Sequence, residues 1–410
     1  MAGMGAATVS SGPGPMPRAE PAVPWAVRPW RIGVLAHMVD ALAVWALSVA
    51  GGYMVLRNEG SAAAVAVLAV AGRVPAVALA AHSGSLADAF DVRVIMRWLA
   101  ALQAIPAVAL CVAAWDGTIS TDAVYAGVFA TALLSAAMGP CMQLEVGSTL
   151  PLALRRRGRA LNNAAGYAAG VVGAVGGGWL VGADGPRLVF GMCAVAAVGV
   201  AVVFAHFDAP ERPRFPRVPV RHTLVRVPRP AWWLVCAALL LAFTLEPLTH
   251  LAPVIAQRHG SSAGRLGLYV GAIVLGALIG GLLFRADEER AVPVRRALPL
   301  AMAVAALALV ALAAWPSFAL ALVTMVLAGA CWEVCALETL LGVIPHAPDR
   351  RVGFQVGVWL AATGAGAVLG TLLLGWTMDE IGVDVSLYIC AGLLLAFAVV
   401  AGVRERNWTA

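Results

Sequence analysis

Apolar residues gather in blocks of about twenty, parted by short polar breaks, and each block is long enough to cross a ~30 Å hydrocarbon core as a helix. Within a block Ala, Val, Leu and Gly run on continuously, whereas barrel strands alternate apolar and polar positions, so helices are predicted. Six spans come first: Ile32–Val55, Ala62–Leu86, Val94–Trp115, Ala123–Val146, Leu161–Val181 and Leu188–Phe207. Six more follow: Trp232–Ile255, Leu266–Phe284, Ala297–Trp315, Phe318–Leu341, Val352–Met378 and Val385–Val403. The pattern predicts an all-α integral membrane protein of twelve transmembrane helices, with six-helix halves at 31–207 and 231–404. Residues 208–230, rich in Pro and Arg, are the expected linker. Residues 1–30 are rich in Gly, Pro and Ala and lack the apolar core of a signal peptide, so a disordered tail is expected there, with a second short tail at 405–410.

Composition excludes a water-soluble fold: 61% of residues are hydrophobic, 12% are charged and the mean hydropathy is +0.86. All 28 basic residues are Arg, which we ascribe to coding bias. They recur in alternate connections: Arg93 and Arg97, the Arg155 to Arg159 cluster, the linker, the stretch from Arg285 to Arg296, Arg350 with Arg351, and Arg404 with Arg406. The opposite connections are poorer in Arg and hold Asp116, Asp122, Asp184, Asp379, Glu380 and Asp384. By the positive-inside rule the linker and both termini are expected in the cytoplasm, with the chain in the cell's inner membrane. Trp115, Trp179, Trp315 and Trp376 on the outer side, and Trp30, Trp98, Trp232 and Trp233 on the inner, fit an anchoring aromatic belt. Arg residues never cluster in one patch with interleaved aromatics, so nucleic acid is not an expected partner. The seven Cys lie inside apolar blocks and read as small core residues, not disulfides or metal ligands.

Between the second and third spans stand Gly84, Leu86, Ala87, Asp88 and Arg93, and in the fifth Gly173, Gly176, Gly177 and Gly178. On these residues the chain resembles the major facilitator superfamily. The first set matches its loop motif in part, with Ala89 and Asp91 departing from it. The second is similar to its antiporter motif with Ala174 in place of Pro. Small residues of this kind also serve plain helix packing. The resemblance runs from about Trp30 to Arg406 and implies the superfamily's two pseudo-symmetric six-helix halves. Glu145 before the Arg155 cluster and Glu338 before Arg350 sit at matching places in the halves, as a duplication requires. The second copy of the loop motif is degenerate, since Gly281, Leu282 and Leu283 lead to Arg285. The fourth span lacks the Arg usual in proton-coupled drug exporters, and the pattern is nearest the enterobactin-exporter-like and macrolide-efflux-like branch.

A charge near mid-bilayer costs at least roughly 2.5 kcal/mol on insertion scales, so Asp40, Arg73, Glu246 and Glu333 each need a partner, a cavity or a task. The resemblance implies that the first, fourth, seventh and tenth spans line a central cavity, and three of these residues lie on them. Asp40 and Arg73 sit at similar depths and are expected to pair, either as a static bridge or as a functional one. Glu246 precedes Pro247, which removes a backbone donor, and His250 follows one turn later. Glu246 is the leading proton site, against the alternative of a carboxyl that steadies the kink. Glu333 beside Trp332, with Trp45 and Trp359 too deep for the belt, fits an acidic, aromatic cavity for a bulky, partly apolar compound. Such Trp residues also serve as packing. Glu145 and Glu338 are candidates for gating with loop Arg such as Arg93, with Asp88 holding the neighbouring loop.

The sequence thus points to a monomeric secondary transporter that exchanges small molecules and protons across the lipid bilayer by alternating access, with export of an amphiphile as the leading direction. Uptake by symport, a non-transporting receptor and a lipid-flipping protein are the competing readings. No Walker loop, triad, metal cluster or cofactor fingerprint is present in the sequence, so neither enzyme activity nor a cofactor is expected.

Overall fold

The computed structural model describes residues 23–89, 92–116, 118–206, 229–258, 262–289, 297–315, 317–344 and 352–409. Twelve of its helices are long and apolar enough to cross a membrane. The first six are α1 (Arg28–Glu59), α2 (Ala62–Ala89), α3 (Val92–Ala113), α4 (Thr121–Thr149), α5 (Arg155–Asp184) and α6 (Pro186–Ala205). The second six are α7 (Arg229–His250), α8 (Ala263–Glu289), α9 (Ala297–Ala314), α10 (Phe318–Val343), α11 (Val352–Glu380) and α12 (Val383–Thr409). We call the end where α1 begins and α12 finishes the base, and the opposite end the crown.

Most helices run past the apolar blocks because a helix persists once its ends find polar partners. At the crown, Gly60 closes α1 in the left-handed region at φ 68°, its N–H bonding the Leu56 carbonyl. Asn58 then donates to the Ile119 carbonyl at 2.9 Å, and the Ser120 side chain caps α4 by accepting from Ala123 N–H. At the base the basic cluster expected as a loop is helical, since α5 already starts at Arg155. The seventh span departs most from expectation. It stops at His250 and resumes as a short helix, Ala252–Gln257, since neither Pro247 nor Pro253 has an N–H to continue the ladder.

Helix neighbours repeat at an offset of six: α1 packs on α5 as α7 does on α11, α2 on α4 as α8 on α10, and α3 on α6 as α9 on α12. This is the pseudo-symmetry of two six-helix halves. They meet along two seams, α5 against α8 and α2 against α11. Glycine sets the closest approaches. A Cβ on Gly173 would strike the Leu42 backbone and one on Gly177 that of Ala46, which locks α5 to α1. In the second half, Gly366 and Gly370 of α11 meet the Leu239 and Phe243 backbones of α7 in the same way. The Phe243 carbonyl is the one that Pro247 cannot bond, and Gly370 gives it room.

Trp98, Trp115, Trp179, Trp315 and Trp376 are all more than half exposed, as belt residues should be in a bilayer. Trp30 is a correction, being 1% exposed and packed with Val34 and Leu150. Its place before the first apolar block resembled a belt position, but α1 begins at Arg28 and carries it inside.

Candidate transport pathway

The two seams bring polar side chains of one half onto the other. On α2, Arg73 forms an ion pair with Glu246 of α7, with side chains 38% and 15% exposed. Glu246 immediately precedes Pro247 in the last turns of α7, so the carboxylate stands beside a weakened stretch of backbone. His250, one turn on, borders the same small void as Arg73 between α2, α7 and α11, and its Nε2 has no hydrogen-bond partner among the described residues. On the other seam the Tyr167 hydroxyl of α5 donates to Glu333 Oε2 of α10 at 2.7 Å. Gly281 of α8 lies against that carboxylate, and a Cβ there would come within 3.7 Å of Oε1.

The expected pairing of Asp40 with Arg73 is not what the structure contains. Asp40 turns into its own half, where Gln103 of α3 donates to it at 3.4 Å and to Ser135 of α4 at 2.9 Å. It borders a pocket with Leu110, Thr131, Phe190 and Cys193, on α3, α4 and α6. Equal depth along neighbouring helices is compatible with any rotation about their axes, and rotation decides the partner.

Other candidates divide between packing and the halves' contacts. Trp45 lies against Gly170 of α5, near Val274 of α8, and Trp332 is half-buried against the main core. Trp359 is 9% exposed and donates to Thr339 Oγ1 at 3.0 Å, so it is committed to the contact between α10 and α11. Gly173 and Gly177 serve the α1 contact, whereas Gly178 meets Gly267 of α8 across the halves. Glu338 is 6% exposed in α10. Gly84 and Asp88 fall near the base end of α2 and Arg93 at the start of α3, but their side chains, like that of Glu145, lie outside the described residues. The linker at 208–228 and the loop with Arg350 and Arg351 lie outside them as well.

Three residues here carry no sequence motif. Tyr167 was open to notice as a hydroxyl in an apolar span, since a buried Tyr hydroxyl needs a partner. Gln103 gave the same signal in the third span. Asp379 ends α11 and reaches across the crown to the start of α2, accepting from Ala62 N–H and Ala63 N–H at 2.9 Å and from the Ser61 hydroxyl at 2.7 Å. It caps another half's helix, a role no local pattern announces.

Two six-helix halves with charged residues at their seams define a membrane transporter of the major facilitator type. Its fold is similar to solved structures of the POT family transporter PepTSo (TM-score 0.76, 13% identity, covering 95% of this chain and 99% of that one) and the nucleoside transporter NupG (0.69, 13%, 92% and 98%). A bacterial homologue of the lysosomal transporter Spinster, in an inward-facing and unoccupied conformation, is also similar (0.71, 16%, 93% and 97%). No curated protein matches the sequence. The chain belongs to the transmembrane secretion effector family, whose model matches residues 19–410.

Proposed function

We propose that this transporter exports amphiphilic small molecules in exchange for protons, with its base in the cytoplasm. The Arg73–Glu246 ion pair carries this reading, because it ties the halves together through a carboxylate that can also hold a proton. In the conformation described here the crown is drawn shut by Asp379 on α2 and by Gly178 against Gly267, and the pair is made. Rocking open at the crown separates α2 from α7 and leaves Glu246 without its cation, to be neutralised by a proton from outside. Closing the crown returns Arg73, which displaces that proton toward the cytoplasm. His250 Nε2, one turn nearer the crown than Glu246 and without a hydrogen-bond partner among the described residues, is a station for the proton's entry from outside. Export is favoured by the family's description as secretion effectors, and the cytoplasmic base by the Arg-rich connections at that end. The motif residues support membership of an efflux branch like that of the enterobactin and macrolide exporters.

The test is accumulation of fluorescent amphiphiles in cells expressing the wild type or Glu246→Gln, with and without a proton gradient. Lower accumulation in the wild type alone, lost when the gradient collapses, is expected. Gradient-dependent gain of the dyes instead would establish uptake, and unchanged export by Glu246→Gln would remove Glu246 from the coupling.

A further inference from the structure

The two seam carboxylates are compensated differently. Glu246 has Arg73 as a permanent cation, whereas among the described residues Glu333 is held by one neutral hydroxyl, that of Tyr167. A single neutral hydrogen bond does not offset an ionised carboxylate removed from bulk water, so Glu333 is left for a mobile cation to complete. Beside Oε1 there is at least methyl-sized room, since a Cβ on Gly281 would come no closer than 3.6 Å to Glu333. Tyr167, half-buried, meets the other oxygen, Oε2, through its hydroxyl.

We infer that Glu333 is the binding group for an amphiphile bearing a protonated amine, and that Tyr167 is its stand-in when the site is empty. The ammonium enters beside Oε1 and draws the carboxylate charge away from the hydroxyl on Oε2, so loading substrate weakens a hydrogen bond between α5 and α10 and loosens one of the ties between the halves. Substrate and proton then act on separate carboxylates, Glu333 at one seam and Glu246 at the other. The inference rests on the transporter reading for its purpose, but its test is binding, which needs neither transport nor a gradient.

Dansylcadaverine, an apolar dye with a primary amine, and its uncharged N-acetyl analogue are titrated into purified full-length protein in lipid nanodiscs. The wild type should bind the amine at least roughly tenfold more tightly than the analogue. Glu333→Gln should erase that preference and leave the analogue's affinity unchanged. Tyr167→Phe, which keeps the ring and deletes the competing hydroxyl, should bind the amine several-fold more tightly. A wild type without preference, a preference that survives Glu333→Gln, or weaker amine binding in Tyr167→Phe would each overturn the assignment. The first of these would mean that a proton alone serves Glu333. Amine-selective binding without extrusion from cells would defeat the exporter reading and leave this site standing.

Discussion

In the N-terminal half α5 lies on α1 where Gly173 and Gly177 meet Leu42 and Ala46, and in the C-terminal half α11 lies on α7 where Gly366 and Gly370 meet Leu239 and Phe243. The packing device is the same, four residues apart on both helices of each pair. The charges are not arranged alike. The C-terminal half presents its carboxylates, Glu246 and Glu333, to the partner half, while the N-terminal half answers with Arg73 and Tyr167 and keeps its own acid, Asp40, turned inward. Duplication therefore conserved the backbone contacts that make a half rigid, and the halves diverged in the side chains that let them act on each other.

If the glycine contacts are the shared element, Gly173→Ala and Gly370→Ala should be the most damaging changes and should damage alike. Each new methyl would meet a backbone carbonyl, which has no rotamer to move aside, and overpacking of this kind costs about 3 kcal/mol or more. Both variants should lose much of their folded, monodisperse protein on thermal challenge. Gly176→Ala, with nothing within 4 Å of the added carbon, should melt like the wild type. A harmless Gly370→Ala would mean that the halves do not share this contact.

The crown offers a smaller effect and separates the seams. Asp379 adds a cap from the other half to the one that Ser61 gives α2 by accepting from Ala64 N–H, and replacing a capping side chain by Ala costs about 1 kcal/mol, roughly a fivefold change in an equilibrium. Asp379→Ala should shift spin-label distances between the crown ends of α2 and α11 toward the open population, and Asp379→Asn, still a capping residue, should shift them less. Unchanged distances in the alanine variant would show that the α5–α8 seam holds the crown unaided.

Much of the architecture was legible in the chain, because a bilayer demands continuous apolar helices and the charge pattern sets their ends apart. The twelve blocks became twelve helices, and the glycines of the fifth span became an interface. What stayed hidden was azimuth and reach. Nothing in the spacing of Arg73 tells that it meets Glu246, 173 positions on, because the halves come together only through tertiary packing. The roles of Tyr167 and Asp379 stayed hidden for the same reason: each acts on a helix of the opposite half. The break at His250 was foreshadowed by Pro247, yet a single lost donor does not say whether a helix bends or stops.

The smallest expected effect tests where Asp40 belongs. Its partner Gln103 is 5% exposed, so the contact is interior to the N-terminal half, and Asn at position 40 keeps its shape and an acceptor for the Gln103 amide. Arg73, by contrast, spends its charge on α7, and its loss strands Glu246. Among the described residues the two share no partner, so the stability losses of Asp40→Asn and Arg73→Ala should add to within about 0.5 kcal/mol in the double variant, measured by thermal unfolding in one detergent. A coupling clearly above that would return Asp40 to Arg73 in some other conformation of the cycle. The pocket around Asp40 would then be a place the side chain leaves as the halves rock. Additivity would instead fix Asp40 as an internal strut of the half that moves, and leave the exchange of charge between halves to the carboxylates of the other.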